Sequence, residues 1–400
     1  MKNSVLKFGG TSVGDFEKIK DIAQSLKDRT ILGEKLIVVV SAMGGTTDEL
    51  LSNVNRLSPA PKDDHIALLV TTGEQQTISY LSIVLEELGV RTKAMTGFQA
   101  GIKTFGGHMK SRIADIDRAC LVSALEEHDV IVVAGFQGIN EDNEITTLGR
   151  GGSDTTAVAI AASCNMPCEI YTDVEGVYAT DPRVYKKAKR IYDISYDEMM
   201  EMSALGAGVL ETRSIEIAKN HSIPIYLGKT LSDEKGTWIM QETEVLERKA
   251  VTGAALDEDI IHATVYEPEV DSTLIFDLFK RFEEEEINVD MISQAVGSEG
   301  FQLSFTVKDT ESNRLDQIFA ETQMMHPDMV LTRHTDYAKV SIIGSGMRDM
   351  SGVASKAFMA LNEAGIKFYQ TTTSEISISY VVDKNHGENA VETLATAFGL

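Results

Sequence analysis

Two short apolar runs restrict the fold of this chain more than any other feature: Leu36-Ile37-Val38-Val39-Val40 and Val130-Ile131-Val132-Val133-Ala134. Neither alternates with polar residues. A strand with one wet face reads apolar-polar with a period of two, so an unbroken run of branched residues predicts a strand covered on both faces, as in the middle of a mainly parallel sheet. Other strand-like and helix-like stretches alternate around these two. Val5-Leu6-Lys7-Phe8 reads as a strand stopped by Gly9-Gly10, and residues 15–29 place Phe16, Ile19, Ile22, Ala23 and Leu26 at helical spacing. Residues 75–88 and 153–163 read as helices, and Glu169-Ile170-Tyr171-Thr172 as another strand. That order predicts a layered α/β domain. Its end is expected near residue 245, where the charged stretch from Glu242 to Lys249 breaks the pattern.

The rest of the chain contains an internal repeat. Leu274, Leu278, Phe279 and Phe282 share one helical face, and the same face recurs as Val353, Ala357, Phe358 and Leu361. Ile287 recurs as Ile366. Phe301, Leu303, Phe305 and Val307 recur as Ile376, Ile378, Tyr380 and Val382, after a shorter central hairpin. Each copy reads as strand, helix, strand, strand, helix, which is most of a ferredoxin-like βαββαβ unit. At 400 residues there is room for two or three domains.

Composition narrows the partners. With 37 Lys and Arg against 61 Asp and Glu, the formal charge is −24. Such acidity disfavours nucleic acid and anionic membranes as partners. It leaves nucleotide binding open, because a few amides and cations can hold phosphates locally. Nothing approaches the roughly 20 apolar residues needed to span a bilayer, and the first residues do not read as a secretion signal. The three cysteines, Cys120, Cys164 and Cys168, fit a reducing compartment, so a cytoplasmic protein is expected. Cys164 and Cys168 lack a second Cys/His pair nearby and read as packing residues rather than zinc ligands.

Four segments carry the candidate chemistry. Lys7-Phe8-Gly9-Gly10-Thr11-Ser12 lies between the first strand and the first helix. Adjacent glycines let backbone amides approach an anion, and a following helix N-terminus adds positive potential; the bland alternative is a tight turn with a solvated lysine. Ser41-Ala42-Met43-Gly44-Gly45-Thr46-Thr47-Asp48 repeats the arrangement after a buried strand. Ligands of open α/β sheets bind outside the carboxyl ends of strands, so the two segments suggest one anion site. In Gly149-Arg150-Gly151-Gly152-Ser153-Asp154, Arg150 can grip a carboxylate through two parallel hydrogen bonds, and Ser153 is placed to cap a helix. Asp154 could equally be a first-turn carboxylate facing the helix dipole. Tyr171-Thr172-Asp173 through Tyr178, with Thr180-Asp181-Pro182-Arg183, is either a nucleotide clamp or a polar loop. Two look-alikes fail. Gly228-Lys229-Thr230 resembles the end of a P-loop, but Ile223 stands where its first glycine belongs. Gly344-Ser345-Gly346 lacks the third glycine of a dinucleotide fingerprint, Asp349 taking its place.

Taken in order along the chain, the segments resemble the aspartate kinases of the amino acid kinase family. The matching pieces are KFGGTSV at 7–13, VVVSAMGGTTDEL at 38–50, TTGEQQT at 71–77, GFQG at 135–138, TTLGRGGSDTTA at 146–157, YTDVEGVYATDPRV at 171–184 and TTTSEISIS at 371–379. The resemblance implies a three-layer α/β amino acid kinase domain with a mainly parallel sheet over residues 1–245. Two ferredoxin-like ACT domains would follow, at 250–330 and 331–400, with a strand near 251–256 completing the second. It implies transfer of the γ-phosphate of MgATP to the β-carboxylate of L-aspartate. In this reading Lys7, Phe8, Gly9, Gly10 and Ser41 meet the ATP phosphates, and Thr172, Asp173, Tyr178 and Arg183 form the nucleotide loop. A further ATP lysine falls to Lys235, with Lys229 as the other candidate. Thr47, Glu74, Arg150, Gly151, Gly152 and Ser153 surround aspartate, Glu74 facing its ammonium and Arg150 a carboxylate. Asp154 positions Lys7. Asn288, Val289, Asp290 and Gln294 face an amino-acid effector, although Glu267-Pro268-Glu269-Val270-Asp271 replaces the usual Pro-Gly turn there. No protein metal cluster is expected, so Mg²⁺ would be held by phosphates and water. A homodimer or higher homo-oligomer through the ACT domains is implied as well. The rivals are another amino acid kinase, with glutamate, acetylglutamate, carbamate or a nucleotide as acceptor, and an inactive amino-acid sensor.

Overall fold

The computed structural model describes residues 3–241, 249–269, 273–298 and 300–400. The expected domain end near 245 and the positions Val270 and Asp271 fall outside those residues. The chain forms two compact units. The first holds Met1–Val177, Arg190–Ser203 and Gly208–Glu244; the second holds Tyr178–Lys189, Ala204–Ala207 and Val245–Leu400.

The first unit is built on strands β1 (Ser4–Phe8), β2 (Leu36–Val40), β3 (Thr92–Met95), β4 (Ile102–Phe105), β5 (Arg112–Ile116), β6 (Val130–Ala134), β7 (Gln137–Ile139), β8 (Ile145–Thr147) and β9 (Cys168–Thr172). Two short strands follow, β10 (Val177–Tyr178) and β11 (Arg190–Ile191), and then β12 (Asp193–Ser195), β13 (Ile225–Lys229) and β14 (Thr237–Met240). Its main sheet has eight strands in the order β12-β14-β13-β9-β1-β2-β6-β3. All neighbours with a described register run parallel except β13 and β14. The two apolar runs are β2 and β6, adjacent and in register from Leu36 opposite Val130 to Val40 opposite Ala134. Every residue of both is buried, which explains the absence of polar alternation. Each such side chain contributes roughly 1.5–3 kcal/mol by leaving water.

Helices α1 (Phe16–Ile31), α2 (Thr46–Leu57), α3 (Asp63–Val70), α4 (Thr72–Glu87), α5 (Arg118–Glu127), α6 (Gly152–Cys164), α7 (Tyr196–Met202) and α8 (Thr212–His221) complete the unit. Helix α1 starts where the Asp15 side chain accepts the Lys18 amide, and buries Ile19, Ile22, Ala23 and Leu26. Phe16 departs from its expected place on that face: it is 57% exposed, and its ring sets edge-on against Tyr80 of α4. It sits in the first turn, ahead of the stretch that lies on the sheet. Ser153 also departs from expectation. The residue before α6 is Gly151, left-handed at φ 65°, so Ser153 lies inside the helix and caps nothing.

In the second unit, β16 (Ile260–Glu267), α9 (Leu274–Glu284), β17 (Ile292–Gly297), β18 (Gly300–Lys308), α10 (Ser312–Met325) and β19 (Val330–His334) form one βαββαβ module, with sheet order β17-β18-β16-β19. The other module contains β15 (Gly253–Asp257), β20 (Tyr337–Ile343), α11 (Val353–Glu363), β21 (Phe368–Thr373), β22 (Ser377–Asp383) and α12 (Gly387–Phe398), in the order β15-β20-β22-β21. Here the strand preceding the first module, β15, pairs antiparallel with β20. Leu274, Leu278 and Phe282 are buried, as are Val353, Ala357 and Leu361. Among the described residues no helix is long and apolar enough to cross a membrane.

Candidate active site

The carboxyl ends of β1, β2 and β6 open into one cavity of about 300 Å³. Sequence and local conformation explain how these loops come so close. Gly10 and Gly44 face each other across a hydrogen bond from the Gly44 amide to the Gly10 carbonyl, 3.1 Å. A Cβ on Gly10 would stand 2.9 Å from the Ala42 carbonyl oxygen, so a side chain there would force the loops apart. Two helices begin at the cavity wall behind left-handed glycines, α2 behind Gly45 and α6 behind Gly151, and neither has a side-chain cap. The Thr46, Gly152 and Asp154 amides are taken by the Met43, Gly149 and Gly151 carbonyls, which leaves the Thr47, Asp48 and Ser153 amides to face an anion.

Charge is concentrated at the floor. The Lys7 ammonium lies 2.6 Å from Asp154 Oδ1, both side chains nearly buried. Lys7 reaches it by folding over Gly9, where a Cβ would come within 3.4 Å of Nζ. Glu74, in the first turn of α4, is buried. The Ala42 amide donates to its Oε1 at 3.2 Å, and its buried Oε2 has no hydrogen-bond partner. Burial pushes its carboxyl up to about 7, only partly opposed by the amides at Glu74 and Ala42. An acidic group near neutrality, with an open oxygen in a cleft, is suited to meeting a ligand's ammonium. Arg150 stands exposed at the rim.

Of the residues singled out in the sequence, Lys7, Gly10, Ser41, Thr47, Glu74, Arg150, Gly151, Gly152, Ser153 and Asp154 all line this cavity. Phe8 is buried and stacks on Tyr171, ring centres 5.3 Å apart. Thr172 ends β9 and Asp173 follows it, beside the glycine loop, whose Gly9 amide donates to the Tyr171 carbonyl at 3.2 Å. Lys229 ends β13, and Lys235 lies in the exposed turn between β13 and β14. Tyr178 and Arg183 belong to the second unit, where the exposed Arg183 pairs with Asp181 of its own loop. Also in the second unit, Asn288 and Val289 precede β17, Gln294 lies exposed on it, and Asp290 pairs with the buried Lys339 of β20.

Three contributors escaped the sequence reading. Phe136 lines the cavity with a left-handed backbone at φ 69°, rare for a bulky residue. The Thr156 hydroxyl accepts its amide and its carbonyl accepts the Leu148 amide, which holds that conformation. Arg213 of α8 donates to the carbonyls of Leu148 and Ser111, bracing the chain just before Gly149 and Arg150. Glu211 packs against Gly151, where a Cβ would come within 2.6 Å of its Cβ. Burial and then Asp154 raise the Glu211 carboxyl. Phe136 lies in the GFQG piece just after β6, which gives it no role of its own, and Arg213 and Glu211 carry no glycine or strand-end signature that would mark them. Among the described residues no group of three or more His, Cys, Asp or Glu gathers as a metal site.

The amino acid kinase family model matches residues 2–229, and an ACT domain model matches residues 340–398. The chain is 43% identical over 397 residues to aspartokinase 2 of Bacillus subtilis, covering 99% of this chain and 97% of the relative. It is 42% identical to the aspartokinase of Geobacillus stearothermophilus, with the same coverage. Its fold matches the crystal structure of E. coli aspartokinase III in complex with aspartate and ADP over the whole of both chains, with a TM-score of 0.82 at 23% identity.

Proposed function

The chain belongs to the aspartokinases of the amino acid kinase family, and from that premise we propose that it transfers the γ-phosphate of MgATP to the β-carboxylate of L-aspartate, giving 4-phospho-L-aspartate. The observation that carries this reading is the meeting, in one cavity, of the Lys7–Asp154 pair, two uncapped helix starts and the open oxygen of Glu74. The first three suit phosphate, and the last suits an amino acid.

The reaction asks little covalent chemistry of the protein. A β-carboxylate with a pKa of about 3.9 is already a nucleophile at neutral pH, so no general base is needed. One of its oxygens bonds to the γ-phosphorus as the bond to the β–γ bridging oxygen breaks, and ADP leaves. The protein must align two anions and neutralise the equatorial oxygens. Lys7, oriented by Asp154, supplies the cation, and the Gly10 amide cradles the phosphates with the Ser41 hydroxyl beside it, while Gly9, its own amide held by the Tyr171 carbonyl, keeps the loop free of side chains there. Phe8 holds that loop against Tyr171. Thr172, Asp173 and Lys235 serve the nucleotide. Arg150 grips an aspartate carboxylate, Glu74 receives its ammonium, and Thr47, Gly151, Gly152 and Ser153 close the pocket. Asp154 is engaged by Lys7 and the open oxygen of Glu74 is assigned to the substrate ammonium, so Mg²⁺ arriving with ATP would be held by phosphate oxygens and water.

The product would feed lysine, threonine, methionine and diaminopimelate synthesis in the cytoplasm. The paired modules would take an amino-acid effector near Asn288, Val289, Asp290 and Gln294 and join the chain into a homodimer or larger assembly. A crystal structure of E. coli aspartokinase III with lysine and aspartate supports lysine as the first effector to try. The test is ADP release with MgATP plus hydroxylamine trapping of the acyl phosphate, with lysine and threonine in parallel reactions. Hydroxamate should form only when aspartate is present. A folded preparation with no aspartate-dependent turnover would overturn the assignment.

A further inference from the structure

The Gly228-Lys229-Thr230 segment that fails as a P-loop has a different place in this site. We propose that the Thr230 and Ser12 hydroxyls form a latch that positions the phosphate-binding glycine loop against the nucleotide strand. The proposal rests on the reading that the Gly9-Gly10 loop and Thr172 hold ATP.

The hydrogen-bond directions follow from the partners. Thr230 Oγ1 lies 3.1 Å from the Thr172 carbonyl oxygen, which can only accept, so the single Thr230 proton goes there. Ser12 Oγ lies 2.6 Å from Thr230 Oγ1 and must therefore donate to it. The result is a one-way relay from Ser12 through Thr230 to the Thr172 carbonyl. The Thr230 amide donates to the same carbonyl at 2.9 Å, so Thr230 holds the end of β9 twice. Ser12 is buried and closes the glycine turn by donating its own amide to the Gly9 carbonyl at 2.9 Å.

The two glycines have no side chains of their own to fix the loop. Its other anchors are backbone bonds from the Gly9 amide to the Tyr171 carbonyl and from the Gly44 amide to the Gly10 carbonyl, the Lys18 ammonium on the Thr11 carbonyl at 3.0 Å, and the stack of Phe8 on Tyr171. The relay adds a side-chain hydrogen bond between the far side of this loop and the strand end at Thr172. Loss of the Thr230 hydroxyl leaves the buried Ser12 proton without its acceptor, loss of the Ser12 hydroxyl unties the loop from Thr230, and either frees the loop to shift relative to the nucleotide. Displacements of this kind weaken a bound anion without removing any group that touches it.

Thr230→Val keeps the side-chain shape and removes the hydroxyl. It is expected to raise the ATP KM and the Kd for MgADP about fivefold, in keeping with one hydrogen bond, with the aspartate KM unchanged. Thr230→Ser should restore both nucleotide constants. In a double-mutant cycle, Ser12→Ala together with Thr230→Val should lose no more than the worse single variant, because both cut one relay. Wild-type nucleotide constants in Thr230→Val, alongside a lowered melting temperature, would make the contact purely structural and overturn the latch. Multiplying losses in the double variant would also overturn it. Calorimetric MgADP titration separates this failure from failure of the functional reading. Wild-type protein that binds MgADP but does not phosphorylate aspartate leaves the latch testable on Kd alone, whereas wild-type protein that binds no MgADP rejects both.

Discussion

Lys7 and Glu74 show how far single residues could be read from sequence. Lys7 ends a buried strand beside two glycines, a pattern visible without coordinates. Its orientation by Asp154 depends on α6 beginning at Gly151, far along the chain, and was legible only through the resemblance. Lys7→Ala is expected to lower kcat by about 10²–10³-fold, the loss typical of one preorganised charge-stabilising donor, with little change in aspartate KM. Arg150→Ala should do the reverse and raise the aspartate KM by at least about tenfold, since it removes a charge-assisted pair. Steady-state kinetics on both variants checks the division of labour. Glu74 makes the sharper pH prediction. Burial pushes its folded carboxyl up to about 7 from the ordinary 4.5. A group with a raised folded pKa favours the folded state while protonated, and that contribution is lost as pH rises from about 4.5 through about 7. Binding an ammonium needs the opposite, ionised form. Aspartate KM should therefore climb as pH falls below about 7, before the substrate's own carboxylates begin to titrate. Glu74→Gln should flatten that profile and raise KM above about pH 7, where the wild-type group is ionised, yet stabilise the free protein at pH 8 by on the order of 1 kcal/mol. A Glu74→Gln profile that kept the wild-type pH dependence would remove Glu74 from the ammonium site. Phe136 marks the limit of reading at this scale. Nothing in a Phe between Gly135 and Gln137 announces a left-handed backbone, because the conformation is imposed by Thr156 and Leu148.

At the scale of elements, legibility followed burial. The strands β2 and β6 were evident because burial on both faces removes every polar residue from them. The helical faces of α9 and α11 were evident because each repeats at helical spacing. Helix starts were harder. Ser153 looked like a cap for α6, but Gly151, two residues earlier, takes the αL conformation at the cap position, and the helix begins at Gly152. Ser153 instead faces β6, where a Cβ on Gly135 would stand 2.6 Å from its Oγ and 3.0 Å from its Cα. A contact with backbone cannot be relieved by a rotamer change, so Gly135→Ala has to push the start of α6 away from the sheet. The expected cost is about 1–3 kcal/mol of stability, as for other overpacked sites. Because Asp154 rides on the same turn, kcat should fall as well. Urea denaturation and initial rates together check this. A variant that lost stability at unchanged kcat would show that the start of α6 moves without disturbing the Lys7–Asp154 pair.

At the scale of the molecule, the repeat predicted two modules of the second unit but not what holds them to each other. That information is non-local: it depends on which strand edges meet, and no periodicity encodes it. The structure places the Lys339 ammonium, 3% exposed on β20 of one module, against Asp290 of the other, with Asp257 at 3.8 Å. Nearby, His262 Nε2 of β16 meets Gln370 Oε1 of β21 at 3.0 Å, and Gln370 also donates to the Met291 carbonyl. These are buried polar contacts, so removing one partner and removing the charge altogether should have unequal consequences. Asp290→Ala leaves the buried ammonium with a more distant counter-charge. Asp290 is about half exposed, and Asp257 remains, so the loss should be nearer 1 kcal/mol than the ~3–5 kcal/mol of a fully buried pair. Lys339→Met removes the charge that needs a partner and keeps the length of the side chain. Asp257 stays paired through Lys308 at 2.7 Å, so the methionine variant should be close to neutral. Urea denaturation of the full chain carrying each substitution measures the asymmetry. If Lys339→Met proved the more damaging of the two, the ammonium would be contributing net stability to the seam rather than requiring compensation there. The seam would then have to be understood as an ion pair that holds the modules together, with apolar packing around Met291, Tyr337 and Val381 as the lesser part.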